Sequence, residues 1–187
     1  MHGALGAASE GAGARTFAPE EIDDVLVTVP EAGVSLVLEP AAEKRAPRSE
    51  YEGKFSLQYS IGSLLVRGHV AVADFTDEAI ADPAVLAVAR KVRYETKAYP
   101  TYPQAFPGGA VVRLADGTSF AADFPHQKGG PENPLSPDEV REKFRENASL
   151  ALADAAVDAL EEALLAVDEL DDLGPALAHL VPEAVAA

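Results

Sequence analysis

The sequence contains no cysteine and no tryptophan, and basic residues are few for its length. The absence of cysteine excludes disulfide bonds, thiolate nucleophiles and cysteine-rich zinc sites. Only 15 lysines and arginines stand against 31 acids, and a net charge of −16 disfavours nucleic-acid binding, because phosphate contacts require a basic face. No apolar run approaches the roughly 18 residues of a membrane-spanning helix, and no signal-peptide pattern is present. We therefore expect a cytoplasmic protein without nucleic-acid or membrane partners.

The charges are unevenly distributed along the chain. Residues 44–54 contain four bases, whereas residues 149–187 contain nine acids and neither lysine nor arginine. An anionic small molecule should approach the first region and avoid the second.

Hydrophobic periodicity and turn residues predict short helices and strands. Alternation indicates a strand at 24–29, whereas the run 34–38 fits either a strand or a helix. Asp116-Gly117 between two apolar runs is a strong hairpin signal. Residues 3–14 are almost entirely Gly, Ala and Ser, which predicts a weak helix or a flexible arm. The other predicted elements are helices at 55–67, 83–92, 137–147 and 149–170, strands at 92–96, 110–114 and 119–124, and a last short helix carrying Leu177, Leu180 and Val181. Three of these helices have end signals: Gly68 stops the first, Asp82 caps the second with Pro83 at its first position, and Ser136 and Glu139 have the capping-box spacing at the third.

These elements are typical of an α+β fold, in which a small sheet containing antiparallel strands has helices packed on one face and is followed by a C-terminal helical tail. We predict a flexible or helical N-terminal arm at 1–16, an α+β domain at 17–148, and acidic C-terminal helices at 149–187.

Motifs for common cofactor chemistry are absent. The chain has no Gly-rich phosphate loop and no His-Glu-x-x-His pattern. The four histidines, at positions 2, 69, 126 and 179, are scattered, so a metal site would need distant residues to converge. We predict no metal site.

Two stretches carry a resemblance to a known family. The first is 48–59, with the sequence RSEYEGKFSLQY; the second is 129–136, with the sequence GGPENPLS, followed by EVREKF at 139–144. In this order they resemble the MmgE/PrpD family, which includes 2-methylcitrate dehydratases, cis-aconitate decarboxylases and iminodisuccinate epimerases. The resemblance runs from about Phe17 to about Leu180 and covers only the C-terminal part of the family. The family's large helical domain is absent from this sequence.

The resemblance implies two catalytic residues. His2 matches a histidine that lines the family's active site, and an imidazole can move a proton near neutral pH; the alternative is a disordered terminal histidine. Tyr59 closes the intact pattern at 55–59 and would face the substrate pocket, where a phenol can hold a carboxylate or donate a proton. The alternative for Tyr59 is a ring packed in the core.

Two further residues are predicted to bind substrate. Lys54 could pair with a substrate carboxylate, or with Glu50 or Glu52 at the surface. Ser56 could contact substrate or simply cap the helix. Gln58 is expected at solvent or at an interface. The loop 126–136 looks functional only through the resemblance, and its turn residues favour a structural role.

The family chemistry implied by the resemblance is proton abstraction next to a carboxylate, followed by loss of water, loss of carbon dioxide or reprotonation, without metal or organic cofactor. Because Met1 lies near the domain junction, we expect the C-terminal half or subunit of a split lyase or isomerase acting on a di- or tricarboxylate. Its partners would be a helical MmgE/PrpD polypeptide and a small carboxylate, in a homodimer or heteromer. The alternatives are a non-catalytic domain that binds an organic acid or a protein helix and, more weakly, an autonomous enzyme.

Overall fold

The computed structural model describes residues 2–13, 15–178 and 180. Contacts between residues divide the chain into two compact units, 1–134 and 135–187. The first unit holds the sheet and the helices that cover it, and the second holds helices, so the predicted α+β class is confirmed. Val181 of the predicted last helix lies outside the described residues.

The first unit alternates short helices with the strands of one sheet. The run at 34–38 that the sequence left undecided forms a helix. The elements are α1 (His2–Ala12), β1 (Ile22–Val29), α2 (Val34–Val37), α3 (Ala41–Lys44), α4 (Glu50–Lys54), α5 (Leu57–Arg67), α6 (Asp77–Ile80), α7 (Pro83–Ala89), β2 (Val92–Thr96), β3 (Gly108–Leu114) and β4 (Ser119–Phe124), with 3₁₀ turns at Pro19–Glu21, Glu31–Gly33 and Val72–Phe75.

The described residues form a four-stranded sheet in the order β2-β1-β3-β4. Strand β1 pairs in parallel with β2 and antiparallel with β3, and β3 pairs antiparallel with β4. The parallel pair needs a long crossover, which helices α2 to α7 supply. The predicted Asp116-Gly117 hairpin joins β3 to β4, and Gly117 has the positive φ of 87° that such a turn requires.

The core lies between one face of the sheet and helices α1 and α5. Val25, Val27 and Val29 of β1 are buried on this face, as the alternating pattern predicted. Helix α5 begins at its cap Ser56 and ends at Gly68, whose φ of 85° places it in the left-handed region. Both residues mark helix ends in the sequence, because a serine N-cap and a C-terminal glycine allow the unpaired backbone groups at helix ends to be satisfied.

Helix α1 is a packed element of the core. Its small residues Ala4, Ala7 and Ala8 are at most 1% exposed. Without large side chains the helix approaches the sheet closely, and a Cβ on Gly11 would lie 2.4 Å from the Phe120 ring. Glycine weakens this helix in isolation, but the same lack of large side chains allows the helix to pack closely against the sheet.

The second unit contains α8 (Pro137–Ala148), α9 (Asp154–Leu165), a 3₁₀ turn at Val167–Glu169 and α10 (Gly174–Ala178). The predicted capping box at the start of α8 is confirmed, since Ser136 and Glu139 each bond the other's backbone amide.

The prediction of one long helix from 149 to 170 is wrong, because α9 covers only 154–165. Arg145 of α8 pairs with Asp158 of α9 at 2.7 Å, and Arg141 lies 3.7 Å from Glu161. Residues later in α8 thus pair with residues earlier in α9, so the two helices are antiparallel. The chain must turn between them, and residues 149–153 make that turn.

Candidate functional site

His2 begins helix α1, and the residue that follows it is held in a close backbone contact. A Cβ on Gly3 would lie 2.4 Å from the Gly108 amide nitrogen and 2.7 Å from the Phe106 carbonyl oxygen. Only glycine fits at such distances, so the first turn of α1 is seated against the start of β3. The His2 side chain is exposed. An imidazole at this position thus has a defined backbone anchor.

Tyr59 lies in the first turn of α5 with its ring fully buried. The ring packs against Phe75, with centroids 5.9 Å apart. The hydroxyl donates to the carbonyl oxygen of Asp74 at 2.5 Å, and the carbonyl of Ala79 lies 3.0 Å away. Burial raises the pKa of the Tyr59 phenol, which is therefore a neutral donor at pH 7. Contact between this hydroxyl and a substrate would require residues 74–79 to move.

Arg67, two turns further along α5, holds the segment that covers Tyr59. Its guanidinium donates to Asp74 Oδ1 at 2.7 Å, to Asp82 Oδ2 at 2.9 Å and to the Ala79 carbonyl at 3.1 Å. Burial alone would raise the pKa of Asp82, but the hydrogen bonds from Arg67 and from the backbone amides of Ala84 and Val85, with the charge of Arg67, together lower it. An open depression of about 520 Å³ adjoins these residues. Sequence reasoning missed Arg67, because its partners lie 7 to 15 residues away along the chain.

Ser56 is the N-cap of α5. It is fully buried, its Oγ accepts from the Tyr59 amide at 2.9 Å, and the same hydroxyl donates to the Lys44 carbonyl. The structure thus places Ser56 and Tyr59 one hydrogen bond apart, and the proton of Ser56 is already used. A role of Ser56 in binding substrate stays a prediction.

Lys54 ends helix α4 and is paired at the surface. Its Nζ lies 3.4 Å from Glu50 Oε2, one turn earlier on the same helix, and its side chain is 45% exposed. Arg48 pairs in the same way with Glu52 at 3.2 Å. Such exposed pairs are weak, so either cation could exchange its partner for another carboxylate.

The other two bases of the 44–54 cluster are bonded to the backbone. Lys44 Nζ donates to the carbonyls of Leu36 and Phe55, each at 2.7 Å, and Arg45 donates to the carbonyl of Val92 at 3.1 Å. Arg45 thus ties the crossover to β2, and Lys44 ties α2 to the residues just before α5, which leaves Lys54 and Arg48 as the more available cations of the cluster.

The expectation that Gln58 faces solvent or an interface is wrong. Gln58 is 1% exposed, and its Nε2 donates to the Leu38 carbonyl at 2.8 Å. Its neighbour Tyr59 is buried as well, because the first turn of α5 contacts Leu38 through Gln58 and the 3₁₀ turn at 72–75 through Tyr59.

The loop after β4 is closed by its own hydrogen bonds. The Gly129 amide donates to the Asn133 carbonyl at 2.7 Å, and the Asn133 amide donates to the Gly130 carbonyl at 3.1 Å. Gly129 has a φ of 87°, which explains a glycine there. Gln127, a residue that the sequence did not single out, accepts the Phe106 amide at 2.8 Å.

Within the residues that the structure describes, no group of three or more His, Asp or Glu side chains is arranged to hold a metal ion. None of the described helices is long and apolar enough to cross a membrane.

Comparison with known proteins identifies the family. The family model of the MmgE/PrpD C-terminal domain matches residues 1–169. The chain therefore belongs to the MmgE/PrpD family, as the two stretches in the sequence suggested, and it corresponds to the family's C-terminal domain.

Two curated relatives show the extent of this correspondence. Cis-aconitate decarboxylase from Mus musculus is 30% identical over 160 residues, which cover 84% of this chain and 30% of that protein. Cis-aconitate decarboxylase from Homo sapiens is 32% identical over 132 residues, which cover 67% of this chain and 26% of that protein. The chain thus spans less than a third of the length of these relatives.

Proposed function

We propose that this chain is the C-terminal part of an MmgE/PrpD-type lyase or isomerase that acts on a di- or tricarboxylate by proton abstraction next to a carboxylate. The reaction would be decarboxylation, dehydration or epimerisation, and it would need a separate helical catalytic domain. The observation that carries the proposal is the family match over residues 1–169, together with relatives that are named as cis-aconitate decarboxylases.

The chain would supply a minority of the active site. His2 would move the proton from a defined place at the start of α1. Tyr59 would donate a hydrogen bond to a substrate carboxylate, once residues 74–79 release its hydroxyl. Lys54 would bind a second carboxylate in exchange for Glu50, and Ser56 would hold the first turn of α5 in place or contact substrate directly. The remaining groups would come from the helical partner, and the assembly would be a homodimer or heteromer in the cytoplasm.

A second candidate is a non-catalytic relative that binds an organic acid or a protein helix. The burial of Tyr59 favours it, because the hydroxyl is bonded to backbone carbonyls and the ring is 0% exposed. The pairing of Lys54 with Glu50 also favours it.

Co-expression tests the first candidate. The chain is produced together with an MmgE/PrpD helical-domain polypeptide, and the purified complex is assayed with cis-aconitate, 2-methylcitrate and iminodisuccinate. We expect a stable complex at micromolar concentration that converts one of these acids, while the isolated chain converts none. Failure to associate would contradict the proposed partner, and turnover by the isolated chain would contradict the division of the active site.

Variants separate the two candidates. His2→Ala should lower the turnover of the complex about 100-fold or more, because a positioned general acid or base contributes about 10²- to 10⁴-fold. Tyr59→Phe should lower it about 10-fold or more, because a hydrogen bond to a charged group contributes about 1.5 to 3 kcal/mol. Tyr94→Phe is the matched control for Tyr59, because it also removes one hydroxyl hydrogen bond, to Glu39 at 2.7 Å. A complex that binds the acid but converts nothing would establish the non-catalytic candidate.

A further inference from the structure

No residue of the loop 129–134, with the sequence GGPENP, has a role in the proposed reaction. Its residues bond to each other across the loop, and Asn133 Nδ2 also reaches back to the His126 carbonyl at 3.4 Å. The closed loop packs against Gln127, the residue that follows His126.

Gln127 is held by this loop on one side. A Cβ on Gly130 would stand 3.0 Å from Gln127 Nε2, so Gly130 packs directly on the amide of the side chain. The Gly130 amide also donates to the Gln127 carbonyl at 3.3 Å. Gly130 thus contacts both the side chain and the backbone of Gln127.

On its other side Gln127 fixes the backbone just before β3. Its Oε1 accepts the Phe106 amide hydrogen at 2.8 Å. Phe106 is 54% exposed, whereas Pro107 and Gly108 after it are buried.

The first turn of α1 rests on this same backbone. A Cβ on Gly3 would lie 2.7 Å from the Phe106 carbonyl oxygen and 2.5 Å from the Pro107 carbonyl carbon. A Cβ on Gly108 would in turn lie 2.4 Å from the Ala4 amide nitrogen. Backbone touches backbone here, so a displacement of residues 106–108 is transmitted to the helix start without side chains that could absorb it.

We propose that Gln127 is a positioning residue for His2. The loop 129–133 holds the Gln127 amide, the amide fixes residues 106–108, and these residues seat the first turn of α1, which carries the imidazole. The inference rests on the proposed function for the role of His2, but the physical connection between Gln127 and His2 holds independently of any reaction. A displacement of a catalytic group by about 1 Å can cost on the order of 100-fold in rate, so a single hydrogen bond at this place is sufficient to matter.

Two substitutions of Gln127 separate positioning from plain stability. Gln127→Leu keeps the approximate size of the side chain and removes the acceptor for the Phe106 amide. Gln127→Glu keeps an acceptor oxygen at the same distance from the backbone. Ser119→Ala is the control, since Ser119 is an exposed residue at the opposite end of β4.

The first measurement uses the 187-residue chain and does not require activity. Backbone ¹⁵N relaxation of residues 2–4 is compared in the wild type and the three variants. We expect faster local motion of these residues in Gln127→Leu, and wild-type relaxation in Gln127→Glu and Ser119→Ala. Unchanged relaxation of residues 2–4 in Gln127→Leu would overturn the proposal.

The second measurement uses the complex with the helical-domain polypeptide. In Gln127→Leu we expect kcat to fall roughly 10- to 100-fold while KM changes less than about three-fold, with Gln127→Glu restoring most of kcat. An equal loss in the two Gln127 variants would overturn the proposal, because the acceptor would then be irrelevant. If the wild-type complex is inactive, the proposed function fails, and the relaxation measurement still decides whether Gln127 positions the start of α1.

Discussion

The hydroxyl of Tyr59 donates to the carbonyl oxygen of Asp74 at 2.5 Å, inside a unit of the fold that needs no other polypeptide to bury the ring. The residue that the family resemblance marks as catalytic is thus also a structural link between α5 and the turn at 72–75. A catalytic role and a structural role of Tyr59 predict different consequences when the hydroxyl is removed.

Tyr59→Phe should destabilise the isolated chain by about 1 to 2 kcal/mol, because a buried carbonyl loses its donor. Urea unfolding measures this loss, with Tyr94→Phe as the control for a part-buried hydroxyl hydrogen bond. If Tyr59 also contacts substrate, turnover of the complex should fall further than the fraction unfolded explains. A stability equal to that of the wild type would contradict the hydrogen bond to Asp74.

Gly62→Ala should lower the free energy of unfolding by about 1 to 3 kcal/mol, as overpacking of a well-packed core does. A Cβ at this position would stand 2.6 Å from the Val85 carbonyl oxygen, so α5 and α7 would have to separate. The matched control is Gly33→Ala, because a Cβ there meets nothing within 4 Å. Thermal unfolding of the two variants should differ clearly, and equal midpoints would contradict the close helix contact.

Asp24→Asn should cost about 1 kcal/mol at pH 7, because Asp24 bonds both Arg93 and Arg113 across the sheet. Burial alone would raise the pKa of Asp24, but the two arginines outweigh it and this pKa is lowered. A lowered carboxyl pKa stabilises the fold above the pKa of the unfolded chain, near 3.9, and the contribution disappears as pH falls through the folded value. The difference between wild type and variant should therefore be constant from pH 6 to 8 and vanish in strong acid. A difference that grows on acidification would contradict the assignment.

Lys54→Gln should leave the urea midpoint of the chain unchanged, since the pair with Glu50 is exposed and 3.4 Å long. If Lys54 binds a substrate carboxylate, KM of the complex should rise several-fold in this variant. Glu50→Gln removes the same ion pair but keeps the cation, so its KM should stay the same or fall. Equal effects of the two substitutions would show that the pair, and not the lysine, matters.

Local signals in the sequence predicted much of the first unit. Ser56 and Gly68 mark both ends of α5 within two residues, Asp82 and Pro83 mark the start of α7, and Asp116-Gly117 marks the hairpin. Each of these signals depends on backbone geometry within a few neighbouring residues, so it can be recognised without the tertiary structure. The family could be recognised for the same reason, because the two stretches that carry the resemblance are short and contiguous.

The predicted long acidic helix failed because its cause is not local. Apolar residues three and four apart continue from 150 to 167, and periodicity alone cannot show where a helix must stop for the chain to reverse. The ion pair of Arg145 with Asp158 depends on that reversal. The prediction for Gln58 was wrong for a similar reason. Its polarity suggested a position at solvent, but its side chain bonds the Leu38 carbonyl inside the fold.

The sequence by itself determined the α+β class, the helix caps and the hairpin turn, because each follows from composition or from neighbours a few residues apart. It also determined the family, through the resemblance carried by two contiguous stretches. Only the tertiary structure decided that a helix of Gly and Ala belongs to the core, that Tyr59 is enclosed beneath residues 74–79, and that Gln127 contacts Phe106. The physical reason is that burial and hydrogen-bond partners arise between residues far apart in the chain. Tyr59 meets Asp74 across 15 positions and Gln127 meets Phe106 across 21, and no local pattern encodes such pairs.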